Sequence, residues 1–209
     1  MDNKFEDIFK KIVEQYVPIE ELPKELYESS LNYWSIRNEL IKESDRGCAL
    51  LAASQLELAL ENLLRKKLVG TKKHKDSLFS FNGCLGTFSS RIQLSYSLGL
   101  ISKLDKDDLD LIRKIRNEFG HSHQVIDFDF PKVSSLCKRM NYIRNSNKSN
   151  RSNFLTCVSN IIGILIGKSF AEIPFKELKS VSSDEIEQSG LAAEKFAAKL
   201  IAENIQKST

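Results

Sequence analysis

Apolar residues recur along this chain at intervals of three and four, and no stretch alternates convincingly at intervals of two. The first spacing lays side chains along one face of a helix, whereas a half-buried strand needs the second. The clearest stripe is Ala49, Ala52, Ala53, Leu56, Leu60, Leu63 and Leu64, lying between Ser44 and Gly70. It predicts a helix from Asp45 to about Leu68, capped by Ser44. The small residues of its first half would let a partner helix come close. The fold class expected is all-α: a helical bundle with an N-terminal helical extension and C-terminal helices.

The same periodicity places the other elements. Phe5, Ile8, Phe9, Ile12, Val13 and Tyr16 mark a short amphipathic helix ended by Pro18. A second helix follows Pro23 and carries Leu26, Leu31, Trp34, Ile36 and Leu40. Val69 to Gly86 reads as a basic, then glycine-containing loop. Thr87 or Ser89 caps a helix to Leu98, with Gly99 in the left-handed position after it. Leu109, Ile112, Ile115 and Phe119 stripe a helix from about Lys106 to Phe119, and Gly120 is read as its terminator. Asp129 or Pro131 starts a helix to about Tyr142. Residues 145–153 are almost entirely Asn, Ser, Lys and Arg and read as a linker. Beyond them come an apolar helix and, with Ser182 and Glu185 at capping-box spacing, a last helix from Asp184 to Gln206. The division expected is 1–44 for N-terminal helices packing on the core, 45–144 for the core, 145–153 for the linker and 154–209 for C-terminal helices.

Composition removes several classes of function. The 209 residues suit one domain with an appendage, and the net charge of +3 is too mild to argue for nucleic acid by itself. Cys48, Cys84, Cys137 and Cys157 are far apart, without C-x-x-C or a histidine at ligand spacing. They read as reduced thiols of a cytoplasmic protein, with no metal and no cofactor implied. Met1 to Tyr16 mixes charged and apolar residues, so no secretory leader is expected. Phe154 to Ile166 is strongly apolar, but it is shorter than the roughly 20 residues needed to span a bilayer. A core helix is expected there, and no integral membrane association.

The chemical clue is Arg116-Asn117-Glu118-Phe119-Gly120-His121, because the chain has only three histidines. A cation and an imidazole held together can grip a phosphate and move a proton at neutral pH. The same pair can instead be helix-terminal electrostatics, since positive groups favour the carbonyl end. Five residues turn a helix by about 500°, so the two side chains would meet only if Gly120 broke the helix. Asn117 fits either reading, as a donor to phosphate oxygen or as part of the helix end. Other constellations are weaker. Asp105, Asp107, Asp108 and Asp110 crowd a helix start, where the dipole favours carboxylates. Lys72, Lys73 and Lys75 read as a solvated charge run with His74 inert among them. Gly83-Cys84-Leu85-Gly86 has the letters of a phosphate loop without its strand or its following lysine.

Three blocks carry a resemblance. They are Arg46-Gly47-Cys48-Ala49-Leu50-Leu51-Ala52-Ala53-Ser54; Leu85 to Ile92 together with Tyr96 to Ile101; and Asp110 to Ser122. In that order and spacing they resemble the MltR family, the mannitol operon repressor proteins, over about Arg46 to Met140. Gly120 stands where many members have alanine, and Cys84 stands where a proline is expected. The resemblance implies a compact bacterial regulator that acts through protein contacts, as a homodimer, without a DNA-reading helix-turn-helix; no such helix pair is evident here. The Arg-x4-His string also resembles the motif of HEPN-type ribonucleases. That implies metal-independent RNA cleavage of a toxin–antitoxin or phage-defence kind. His121 would move protons and Arg116 would stabilise the phosphoryl oxygens, with Asn117 beside them, at a site completed by a second chain.

The expectation is therefore a cytoplasmic, all-α regulator with a protein partner. The alternatives are an RNA-cleaving protein using Arg116, Asn117 and His121, and a non-catalytic helical scaffold.

Overall fold

Seven helices carry the fold in the computed structural model, which describes residues 23–142, 148–171 and 173–178. They are α1 (Lys24–Lys42), α2 (Asp45–Lys67), α3 (Lys72–Phe79), α4 (Phe88–Ser97), α5 (Lys103–His121), α6 (Pro131–Cys137) and α7 (Asn150–Ala171). No strand occurs among the described residues. The amphipathic segment at Phe5–Tyr16 and the last helix expected at 184–206 lie outside them. The helices belong to one compact unit ending at Phe175, and Lys176 to Leu178 belong to another.

α2 is the hub, touching α1, α4, α5 and α7. Its buried residues are the stripe read from the sequence plus Cys48. Leu56, Leu60, Leu63 and Leu64 are each wholly removed from water, a burial that stabilises by roughly 1.5–3 kcal/mol per side chain. The ends are as the residue types dictate. The Ser44 hydroxyl accepts from the Gly47 N–H at 3.1 Å, which satisfies one of the helix's orphan donors. Gly70, after α2, and Gly99, after α4, take positive φ values of 104° and 70°, which cost glycine little. Thr87 and Ser90 form a reciprocal capping box at the start of α4.

α7 is the apolar helix expected at 154–166, extended at both ends. Its mean hydropathy of 1.6 and its 22 residues would suffice to cross a membrane. One face is nevertheless committed to protein: Phe154, Val158, Ile161, Ile162 and Leu165 are buried, and the helix packs on α1, α2, α5 and α6. Phe154 also closes an aromatic file, its ring 5.0 Å from Phe128, which lies 5.1 Å from Phe119 of α5.

Four boundaries differ from the sequence reading. Residues 72–79 form α3 inside the expected loop, started by the Thr71 hydroxyl on the His74 N–H. α5 begins at Lys103, not Lys106, and runs through Gly120 to His121. α6 stops at Cys137 rather than near Tyr142. The Asn/Ser stretch read as a linker is helical from Asn150, and its Asn153 is buried.

Candidate functional site

α5 carries most of the residues that the sequence singles out. At its start the Ser102 hydroxyl accepts from the Asp105 N–H while the Asp105 carboxylate accepts from the Ser102 N–H at 2.7 Å. The other Asp105 oxygen accepts from the Tyr142 hydroxyl at 2.7 Å. One turn on, Asp108 is fully buried. It accepts from the backbone N–H groups of Asn141 and Tyr142, from the Asn141 side chain, and from the Cys157 thiol at 3.2 Å. A buried carboxylate is tolerable only with such a ring of donors. Asp107 pairs with Lys103, and Asp110 with Lys106 and Arg113. Burial alone would raise the Asp110 carboxyl, but Lys106 and Arg113 hold it below the usual carboxylate range. The acidic run is thus occupied by cap, lock and ion-pair duties. Among the described residues no group of three or more His, Cys, Asp or Glu side chains could hold a metal.

The carboxyl end of α5 holds Arg116, Asn117 and His121. The first two are half-buried and His121 is exposed. None makes a side-chain hydrogen bond or ion pair among the described residues. The helix does not break between them. Gly120 lacks a positive φ, and the Ser122 N–H still donates to the Glu118 carbonyl at 3.1 Å. Gly120 therefore does not end the helix as the sequence reading has it. Along a continuous helix the two side chains leave the backbone about 140° apart. A Cβ on Gly120 would lie 3.9 Å from Leu50 Cδ2, ordinary contact, so alanine would also fit.

What organises this end is Arg46, which the sequence offered only as part of a motif. Its guanidinium, at the start of α2, donates to the carbonyls of Ser122 and Gln124, both at 2.9 Å. The Ser122 hydroxyl closes the same turn by donating to Gln124 O and accepting from Gln124 N. These partners lie 76 and 78 residues from Arg46, beyond the reach of any local spacing rule. The pinned turn presents His121, His123 and a fully exposed Val125 to solvent, with Leu50 and Phe130 partly exposed. This is a small mixed surface with a tethered backbone. A separate groove of about 580 Å³ runs between α1, α2 and α7, floored by Ile36, Ala59, Ile162 and Leu165.

Residues 46–160, just over half of the chain, match the family described as MtlR, mannitol repressor. No curated protein matches the sequence. Among solved structures, the X-ray structure of the MtlR–HPr complex from Escherichia coli contains a similar chain, with a TM-score of 0.54 at 16% identity. The likeness covers 63% of this chain and 98% of that one. At that identity it speaks for the fold.

Proposed function

The chain belongs to the mannitol repressor family, and from that premise we propose that it is a cytoplasmic regulator that works by binding HPr. The observation that carries this reading is the pairing of the family match with a fold likeness spanning nearly the whole of a chain crystallised with HPr. The matched stretch runs from the start of α2 to the middle of α7, so the shared part is the packed centre of the molecule.

The residue chemistry supports contact over catalysis. The aspartates of α5 are spent on structural bonds, and three of the four thiols are buried. Arg116 and His121 leave α5 in different directions, so Arg116, Asn117 and His121 would form an RNA-cleaving centre only if a second chain supplied the missing half. The four free cysteines suit a reducing compartment. A homodimer, expected from the family resemblance, would seat the α5 ends against each other, burying Val125 and Leu50.

Light scattering on a mixture of the chain with HPr from the same genome tests the proposal. The expected result is a single peak with the summed mass of the two proteins. Separate elution at about 50 μM each, above ordinary regulatory affinities, would overturn it.

A further inference from the structure

α1 is a thinly covered helix. Leu26, Leu31, Tyr33 and Ile36 are only half-buried, and none of its described side chains before Leu40 is buried. A helix that folds against a core normally hides its apolar stripe there. The cause is the way the long helices part. Arg151, at the start of α7, holds the Leu40 carbonyl of α1 and the Asp45 carboxylate of α2, so the three meet at that end. Toward the other end they leave between them the groove of about 580 Å³. Tyr33 and Ile36 of α1, Leu58 and Ala59 of α2, and Ile162 and Leu165 of α7 line it. Leu58 is 50% exposed, although it stands on an apolar wall.

α1 starts at Lys24, directly after Pro23, and residues 1–22 precede it outside the described part. In the sequence, Phe5, Ile8, Phe9, Ile12, Val13 and Tyr16 fall on one face at helical spacing, with Asp7, Lys11 and Glu14 opposite. A helix that short is marginal alone in water, so its stripe calls for an apolar seat. The lengths agree. Residues 5–16 as a helix would measure about 18 Å, and the groove runs along α1 from Glu25 to Ile36, about 17 Å. The tether agrees as well. Residues 17–22, with Pro18 to stop a helix, fall within the roughly two to eight residues that join neighbouring helices of a bundle. The family match points the same way. It covers residues 46–160, so α1, the groove wall at Ile162 and Leu165, and the amphipathic segment all lie outside it. Wall and segment are additions to the same shared core.

We propose that residues 5–16 form a helix that turns back along α1 and closes this groove with its apolar face. The seam between α1, α2 and α7 is then an internal joint of the chain. Held on so short a tether, the segment meets any competing helix with an effective concentration of order millimolar. The inference is independent of the HPr reading and stands or falls without it.

Disulfide trapping in the full chain, with the exposed Cys84 replaced by serine, tests it. Ile12→Cys combined with Leu58→Cys should close an intramolecular disulfide under mild oxidation, with an unchanged far-UV spectrum. Asp7→Cys, on the opposite face of the segment, should close with Leu58→Cys roughly tenfold more slowly or not at all, because the bond needs Cα atoms within about 7 Å. In the chain without added cysteines, Phe9→Asp should uncover the groove and raise the fluorescence of an apolar dye. Equal closure rates for the Ile12 and Asp7 pairs would show a loose tether and overturn the proposal. So would faster closure of Ile12→Cys with Leu31→Cys, about 140° round α1 from Ile36. A Leu58→Cys disulfide between two chains would make a second copy the occupant, and dye binding unaffected by Phe9→Asp would leave the groove uncovered in the native chain. Either result would also overturn it.

Discussion

The guanidinium of Arg151, in the first turn of α7, pairs with the carboxylate of Asp45, 106 residues earlier, and also closes the carbonyl end of α1 by donating to Leu40 O and Glu43 O. The other Asp45 oxygen accepts from the Phe128 N–H at 3.0 Å. One ion pair thus ties the end of α1, the start of α2, the turn before α6 and the start of α7.

Both side chains are about one quarter exposed, so the pair is worth more than a surface bridge, though water still screens it. Arg151→Ala should cost about 1.5–3 kcal/mol, as expected for charged hydrogen bonds lost from a partly buried network. Arg151→Lys should recover only part of this, because an ammonium lacks the planar fork that reaches carboxylate and carbonyls together. Denaturant unfolding measures both. A loss under about 0.5 kcal/mol for the alanine variant would deny the node its role.

Local signals were legible and distant ones were not. Ser44, Thr87, Gly70 and Gly99 do at their positions what residue type and spacing announce, and the α2 stripe is buried as read. α3 escaped because it is short and mostly polar, with Phe79 as its one buried residue. Gly120 misled because glycine after an apolar stripe usually ends a helix, yet here the backbone stays right-handed until Ser122. The helix starting at Asn150, inside the stretch read as a linker, was not legible because Arg151 and Asn153 look solvent-loving until their partners are in place. Asp108 serves groups 33 to 49 residues away, so its burial could not be seen from the run of aspartates around it.

Tyr142 should titrate late. Its phenol is pushed from 10.0 up to about 12, first by burial, then by donating to Asp105 and by the negative charge nearby. A pKa raised in the folded state gives stability that is whole below pH 10 and lost as pH climbs through about 12, because the unfolded chain releases that proton first. Ultraviolet titration should show a late phenol that Tyr142→Phe removes. Ionisation of Tyr142 near pH 10 would contradict the Asp105 bond.

The thiols should separate by burial. Burial raises Cys48 to about 11 and Cys137 to about 12, and it raises Cys157 further with the help of Asp108. Only Cys84 is exposed. Since the thiolate is the reactive form, a disulfide reagent at pH 8 should modify one thiol of the native protein, and all four in guanidinium. Fast modification of two or more in the native protein would mean that the core around α6 and α7 opens readily.

Arg116→Ala and His121→Ala should leave folding within about 0.5 kcal/mol of wild type, the usual range for surface changes. Hydrogen bonds to the helix end would make Arg116 worth roughly 1–3 kcal/mol, but its side chain makes none among the described residues. Wild-type protein incubated with total RNA in chelator should leave it intact. Cleavage by wild type that both variants lose would restore the composite ribonuclease site.

The most direct measurement is a heteronuclear NMR titration of ¹⁵N-labelled HPr with the unlabelled chain. Binding should broaden or shift one contiguous set of HPr amide resonances and saturate at one HPr per chain, at a dissociation constant of micromolar order or below. An HPr spectrum unchanged at about 100 μM of the chain would contradict a regulator that works through this partner.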